Sequence, residues 1–298
     1  MDPAPLHIIT GKGGAGKTTL ALAWAARLAL GGDRVLVCEV EGRNGLAEAT
    51  GNRPLTAVER PLFAAGAGSV HGLAVEPEAA LTEYLERNAG LGIAGRALDR
   101  TGLGAFATSI APGLRDILLI GKVYEAARRT AKGSPNQYGA VVLDAPPTGR
   151  IASFLTAGDA LADVARGGPV HRQAHSIMAL LRSPTTQVHL VTLLRELPVT
   201  ETIETIAELR AHRFALGLVF CNQVAPAVAE PPTDLDLSLS PALRGDLLEV
   251  LAAASRRAAR EDEWRRTLVP HAERLVDVPQ VTGTLGAAGI VELGKDLP

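Results

Sequence analysis

The stretch Gly11-Lys12-Gly13-Gly14-Ala15-Gly16-Lys17-Thr18-Thr19 constrains this chain more than any other. A short apolar run (Leu6, Ile8, Ile9) precedes it, and an Ala- and Leu-rich segment from Leu20 to Leu30 follows, closed by Gly31-Gly32. That order reads as strand, glycine loop, helix, the context in which a GxxxxGK[ST] match becomes a phosphate site. Glycines at 11, 13, 14 and 16 open backbone conformations closed to residues with a Cβ. Gly13, Gly14, Ala15, Gly16 and Thr19 can then turn their N–H groups toward phosphate oxygens, helped by the partial positive charge of the helix start. Lys17 is placed to reach the β/γ-phosphates of ATP or ADP, and the Thr18 hydroxyl to ligate Mg²⁺. Lys12, five residues before Lys17, is a second cation at the phosphates or, in the plainer alternative, a solvated loop lysine.

At 298 residues, 47% hydrophobic and 21% charged, the chain is long and apolar enough for a full globular core. Its formal net charge of −2 leaves no basic excess to neutralise a nucleic-acid backbone, so nucleic acid is not an expected partner. Met1-Asp2-Pro3 carries no basic or apolar leader. No apolar run is long enough for stable membrane insertion. Cys38 and Cys221 lie far apart in strand-like runs and read as buried, reduced thiols, so a cytoplasmic location is expected.

Further along, Arg34–Cys38 reads as a buried strand that ends at an acidic, glycine-bearing loop, Glu39 to Gly45. In open α/β sheets such loops form the ligand crevice, so this one is expected to face the phosphates. Glu39 and Glu41 are candidates there, with solvated loop acids as the alternative. Residues 55–130 show no continuous apolar strand run beyond Leu73-Ala74-Val75, and helical spacing at Pro77–Arg87 and Gly113–Thr130, which predicts a mainly helical insert. Its apolar part around 88–123 could form a groove, although core packing is the commoner use. Tyr138–Asp144 is the clearest strand, ending on a carboxylate that can steer Mg²⁺, followed by the stiff loop Ala145-Pro146-Pro147-Thr148-Gly149-Arg150. Helices are expected at Ile151–Leu161, His171–Leu181, Val199–Arg213 and Leu243–Leu268, and strands at Val188–Leu194, Leu216–Cys221 and Leu275–Val278. Residues 225–240 read as an exposed acidic linker. Residues 150–185 are expected to join the helical part. The whole, 1–298, reads as one α/β domain: a doubly wound, mainly parallel sheet of the P-loop NTPase type with a helical insert.

With these residues placed, the chain resembles the anion-transporting (arsenite-pump) and tail-anchored-protein-targeting ATPase family, nearest its shorter bacterial members. The resemblance runs through Gly11–Thr19, Glu41–Gly51, Pro112–Asp116, Asp144–Arg150, Leu197-Pro198-Val199-Thr200-Glu201-Thr202 and Asn222-Gln223. It implies that Lys12 crosses to a partner's phosphates in a nucleotide-bound dimer, either a homodimer or a heterodimer with a paralogous ATPase. It implies that Glu41 occupies the position of the acid that activates water. Asn222 falls where an Asn reads adenine (a turn residue is the alternative), and Pro279 in the stretch that flanks the base. It also implies a protein client or membrane-protein partner that responds to nucleotide state through a helical surface.

The departures are specific. Glu41 stands where the family has Asp, and its extra methylene displaces the carboxylate, a shift large enough to slow water activation. Arg150 replaces the usual His after the Asp144 loop. No Cys-x-x-Cys is present for a structural zinc, and paired metalloid-binding thiols are missing. His171, His175 and His189 have no partner at ligand spacing. The expectation is therefore a dimeric Mg²⁺-dependent ATPase. The alternative is a nucleotide-binding, weakly hydrolysing subunit or scaffold of a heteromeric complex.

Overall fold

The computed structural model describes residues 5–40, 42, 44–88, 112–129, 137–165, 168–226 and 240–298. Glu41, most of 88–112 and most of the 225–240 linker lie outside the described residues. In chain order the elements are β1 (Leu6–Gly11), α1 (Lys17–Ala29), β2 (Arg34–Val40), α2 (Gly45–Thr50), β3 (Arg60–Ala65) and β4 (Gly68–Val75). There follow α3 (Pro77–Asn88), α4 (Pro112–Arg128), β5 (Ala140–Asp144), α5 (Thr148–Ala165), α6 (Gly168–Leu181) and β6 (Thr186–Leu193). The last are α7 (Glu196–Ala211), β7 (Leu216–Val224), α8 (Pro241–Leu268), β8 (Leu275–Pro279) and α9 (Gly286–Lys295).

These strands form one sheet in the order β3-β4-β2-β5-β1-β6-β7-β8. All neighbours run parallel except β3 and β4. This is the doubly wound α/β architecture expected from alternating strands and helices. Strand β1 is central and buried at every position, because an apolar strand covered by helices on both faces has no solvent side. The chain visits β2 and β5 on one side of β1, then β6, β7 and β8 on the other, so the winding reverses across β1. Such a reversal opens a crevice at the carboxyl ends of the strands. Register delivers the candidate residues to that edge: Gly11 pairs with Val191, Asp144 lies opposite Ile9 and Glu39, and Asn222 lies opposite Leu193.

Two apolar layers clamp the sheet. Helices α4, α5 and α6 bury Ile120, Val123, Phe154, Leu155, Ile177 and Met178 against one face. Helices α1 and α9 bury Leu20, Leu22, Trp24, Ile290 and Leu293 against the other. Helix α1 is buried along nearly its whole length, which explains why its apolar residues show no amphipathic stripe. Among the described residues no helix is long and apolar enough to cross a membrane.

The segment 55–130 departs from the expected helical insert at its start. It opens with an antiparallel hairpin, β3 and β4, on the sheet edge, and the single short strand expected at Leu73–Val75 is the end of β4. The apolar pattern concealed β3 because an edge strand has one neighbour and tolerates Pro61, beside which the register shifts. Gly66 makes the turn at φ 58°. The helices expected at Pro77–Arg87 and Gly113–Thr130 are present as α3 and α4.

Beneath the crevice, β1 and β6 share a buried polar contact that pattern reading misses. The His189 Nδ1 accepts the Leu218 N–H at 2.9 Å, which fixes the imidazole proton on Nε2. That Nε2 donates to the His7 Nδ1 at 3.0 Å. Burial holds both rings neutral, pushing His7 down to about 4 and His189 to about 3. Trp24 and Phe220 pack against the pair. The thiols of Cys38 and Cys221 are buried too, and desolvation pushes both up to about 12.

Candidate functional site

The glycine loop closes the C-terminal end of β1 and delivers the chain into α1. Its turn is made by the Ala15 N–H donating to the Lys12 carbonyl at 3.1 Å. Gly16 stands immediately before α1 at φ 96°, a left-handed conformation that disfavours any other residue. A Cβ there would also lie 2.2 Å from the Asn222 amide nitrogen. The left-handed backbone favours glycine here, and any larger residue would also push the Asn222 side chain aside.

Lys17 opens α1 with its side chain buried, its ammonium 3.4 Å from the Lys12 carbonyl oxygen. No acidic residue occupies the first turn of α1, so the helix N-terminus keeps its positive character. The next residue, Thr18, donates to the Asp144 Oδ2 at 2.6 Å. Thr18 and Asp144 come from sequence positions 126 apart and meet because β5 lies beside β1. A hydroxyl and a carboxylate are hard oxygen donors, the ligand type Mg²⁺ takes when phosphate and water complete its shell. The donor set fits that ion, and the glycine cradle beside it fits phosphate.

The loop after Asp144 is tied down on both sides. The Thr10 hydroxyl, buried at the end of β1, donates to the Pro146 carbonyl at 2.7 Å. Arg150, in the first turn of α5, bonds the buried Asp116 carboxylate of α4 at 3.0 Å. Arg150 thus links the loop after Asp144 to the helical layer. Thr148 opens α5 and donates to the Glu201 Oε2 at 3.4 Å. The other Glu201 oxygen pairs with the Lys12 ammonium. Glu201 sits in α7, inside the stretch Leu197–Thr202, and no sequence motif marks it.

On the β2 side, Glu39 is buried rather than a solvated loop acid. Its two oxygens accept the Gly45 and Leu46 N–H groups at 2.8 and 3.2 Å, so it caps α2 through the helix dipole. Position-based reading missed this because the cap comes from six residues upstream rather than from the adjoining Asn44. Glu41, the candidate for water activation, lies outside the described residues.

At the far end of the loop, the Asn222 amide donates to the Ala15 carbonyl at 2.8 Å. Asn222 thus bonds the phosphate loop, beyond a simple turn. Pro279, at the end of β8, pairs with Val224 on the neighbouring strand. Arg257 of α8 braces this region, donating to the Gln223 carbonyl, the Gln280 side chain and Glu261 at 2.8–3.0 Å. Glu261 in turn accepts the Ala225 N–H at 2.9 Å. The structure brings Gly13–Thr19, Lys12, Asp144 and Asn222 to one edge, with Pro279 on the adjoining strand end.

Comparison with known proteins finds similarity to ATPases. A sequence family described as anion-transporting ATPase matches residues 6–166. The chain is similar to ATPase BagA of Mycobacterium tuberculosis, 51% identical over 227 residues, covering 76% of this chain and 67% of that protein. It is more distantly similar to ATPase GET3B of Arabidopsis thaliana, 29% identical over 178 residues, 52% of this chain and 40% of that one. ATPase ARSA1 of Chlamydomonas reinhardtii is 27% identical over 183 residues, 51% of this chain and 22% of that one.

Proposed function

This chain belongs to the anion-transporting ATPase family, and on that premise we propose that it hydrolyses ATP to ADP and phosphate as a Mg²⁺-dependent dimer. The observation that carries the proposal is the Thr18–Asp144 contact at 2.6 Å beside a glycine loop bearing buried Lys17. Lys17 and the amides of Gly13 to Thr19 take up the charge of the β/γ-phosphates, where donors fixed before the reaction contribute most. Thr18 and Asp144 would hold Mg²⁺, which would draw charge from the phosphate oxygens. Glu41 orients water for in-line attack on the γ-phosphorus. Lys12 serves the nucleotide of the other subunit, so turnover depends on the dimer closing. Asn222 and Pro279 border the base. The Arg150–Asp116 pair carries the state of the Asp144 loop to α4, and from there to a client-binding surface.

Phosphate release in Mg²⁺ and ATP tests the reaction, and nucleotide binding tests the site. We expect turnover that stops on chelation of Mg²⁺, and Asp144→Asn protein that binds ADP with little response to Mg²⁺. Tight nucleotide binding without turnover at any protein concentration would overturn the enzyme reading in favour of a nucleotide-binding subunit of a larger complex.

A further inference from the structure

Glu201 is the feature of the site that the reaction described above does not use. Among the described residues its carboxylate bonds two groups of the proposed nucleotide site: the Lys12 ammonium on one oxygen and the Thr148 hydroxyl on the other. Lys12 and Glu201 are each about one-third exposed, at 29% and 32% of their side-chain surface. The pair is therefore accessible to exchange and is not locked into the core. Glu201 is itself well anchored, because α7 rises directly from the end of β6, the strand beside β1.

We propose that Glu201 is a positioning residue that holds Lys12 within its own subunit until nucleotide and partner are both present. Two cations, Lys12 and Lys17, converge on a loop built for phosphate, and Glu201 neutralises one of them. A partner's phosphates can recruit Lys12 only by displacing this carboxylate. The Thr148 contact ties the exchange to the Asp144 loop. Thr148 follows Asp144 by four residues, so a ligand drawn onto Asp144 acts on the same short segment that holds the Glu201 Oε2. Loss of the Thr148 bond frees the carboxylate and with it Lys12. Subunit association is thereby taxed by the fraction of molecules whose Lys12 is still held.

This inference rests on the dimeric reading above, and its test separates the two. Sedimentation velocity in Mg²⁺ and a non-hydrolysable ATP analogue gives the dimer dissociation constant. Glu201→Gln, isosteric and uncharged, is expected to tighten the dimer roughly tenfold, since two partly exposed pairs are released per dimer. Glu201→Asp, charged but one methylene shorter, should fall between the two and guards against a folding defect in the first variant. In K12A protein the Glu201→Gln change should have no further effect, the signature of two residues acting through one contact. A dimer that is unchanged or weaker in Glu201→Gln, alongside a wild type that associates, overturns the inference and leaves the dimeric reading standing. If the wild type does not associate, the dimeric reading fails. Acylation of Lys12 in nucleotide-free protein, read by mass spectrometry, then decides whether the restraint exists. A faster reaction in Glu201→Gln supports it, and an equal rate overturns it.

Discussion

The proposed phosphate end and the proposed base end of the crevice are held by different kinds of contact. At the phosphate end the side chains bond one another in pairs that a nucleotide would rearrange: Lys12 with Glu201, Thr18 with Asp144, Thr148 with Glu201. At the proposed base end Arg257 bonds Glu261, Gln280 and the Gln223 carbonyl, and Glu261 accepts the Ala225 N–H, so this brace is tied to backbone groups of β7 and its exit. The first arrangement is built for exchange and the second for support. Nucleotide chemistry should therefore be felt mainly in β1, β5, α5 and α7, with β7, β8 and α8 remaining as they are.

The sharpest way to break this contrast is Lys17→Ala. Turnover should fall by about 10²–10³-fold, the usual cost of removing one prearranged charge stabiliser. The melting temperature, read beside turnover, separates this loss from unfolding. A stable variant with near-normal turnover would deny the phosphate end its role.

Acid tests whether both ends stand on one core. His7 and His189 are held neutral, with folded values depressed below the ordinary 6.5 to about 4 and about 3. The unfolded chain thus binds more protons than the folded one as pH falls below about 6.5, and stability is lost progressively toward pH 4 and 3. Between pH 7 and pH 5 the two rings together should cost about 4 kcal/mol. Denaturant melts should show the loss in a single transition, and His7→Phe should reduce the pH dependence. Separate transitions for the two ends would contradict a shared core.

Smaller effects sharpen the contrast. Arg150→Ala takes a charged partner from buried Asp116 and should cost about 1–2 kcal/mol in denaturant melts, discounted because Arg150 is half-exposed. It should also weaken the effect of nucleotide on hydrogen exchange in α4. Arg257→Ala, at the base end, should raise the KM for ATP a few-fold with kcat retained, the mark of lost uniform binding. A kcat defect there would place the brace in the chemistry.

The central part of this fold was legible from residues 6–19 and 138–150, where continuous apolar runs and a glycine loop leave few alternatives. Most helices and strands followed from the same periodicities, although α5, α6 and α7 each begin three residues before the expected start. Three elements escaped for physical reasons. Strand β3 is an edge strand whose Pro61 and small residues mimic a loop. Glu39 read as a candidate in the phosphate-facing loop, with a solvated acid as the alternative, because its helix-capping role depends on the chain folding back to Gly45. Glu201 sits on a helix with no local motif, and its pairing with Lys12 spans 189 positions, a distance no spacing rule covers. The acid at 41 remains an assignment by position alone.

The most direct test is steady-state ATP hydrolysis per protomer against protein concentration, for wild type, Lys12→Ala and Glu41→Gln. We expect turnover per protomer to rise with concentration in the wild type and to be lost in both variants, each of which stays folded. Turnover independent of concentration and undiminished in Lys12→Ala would contradict a site completed by a partner subunit.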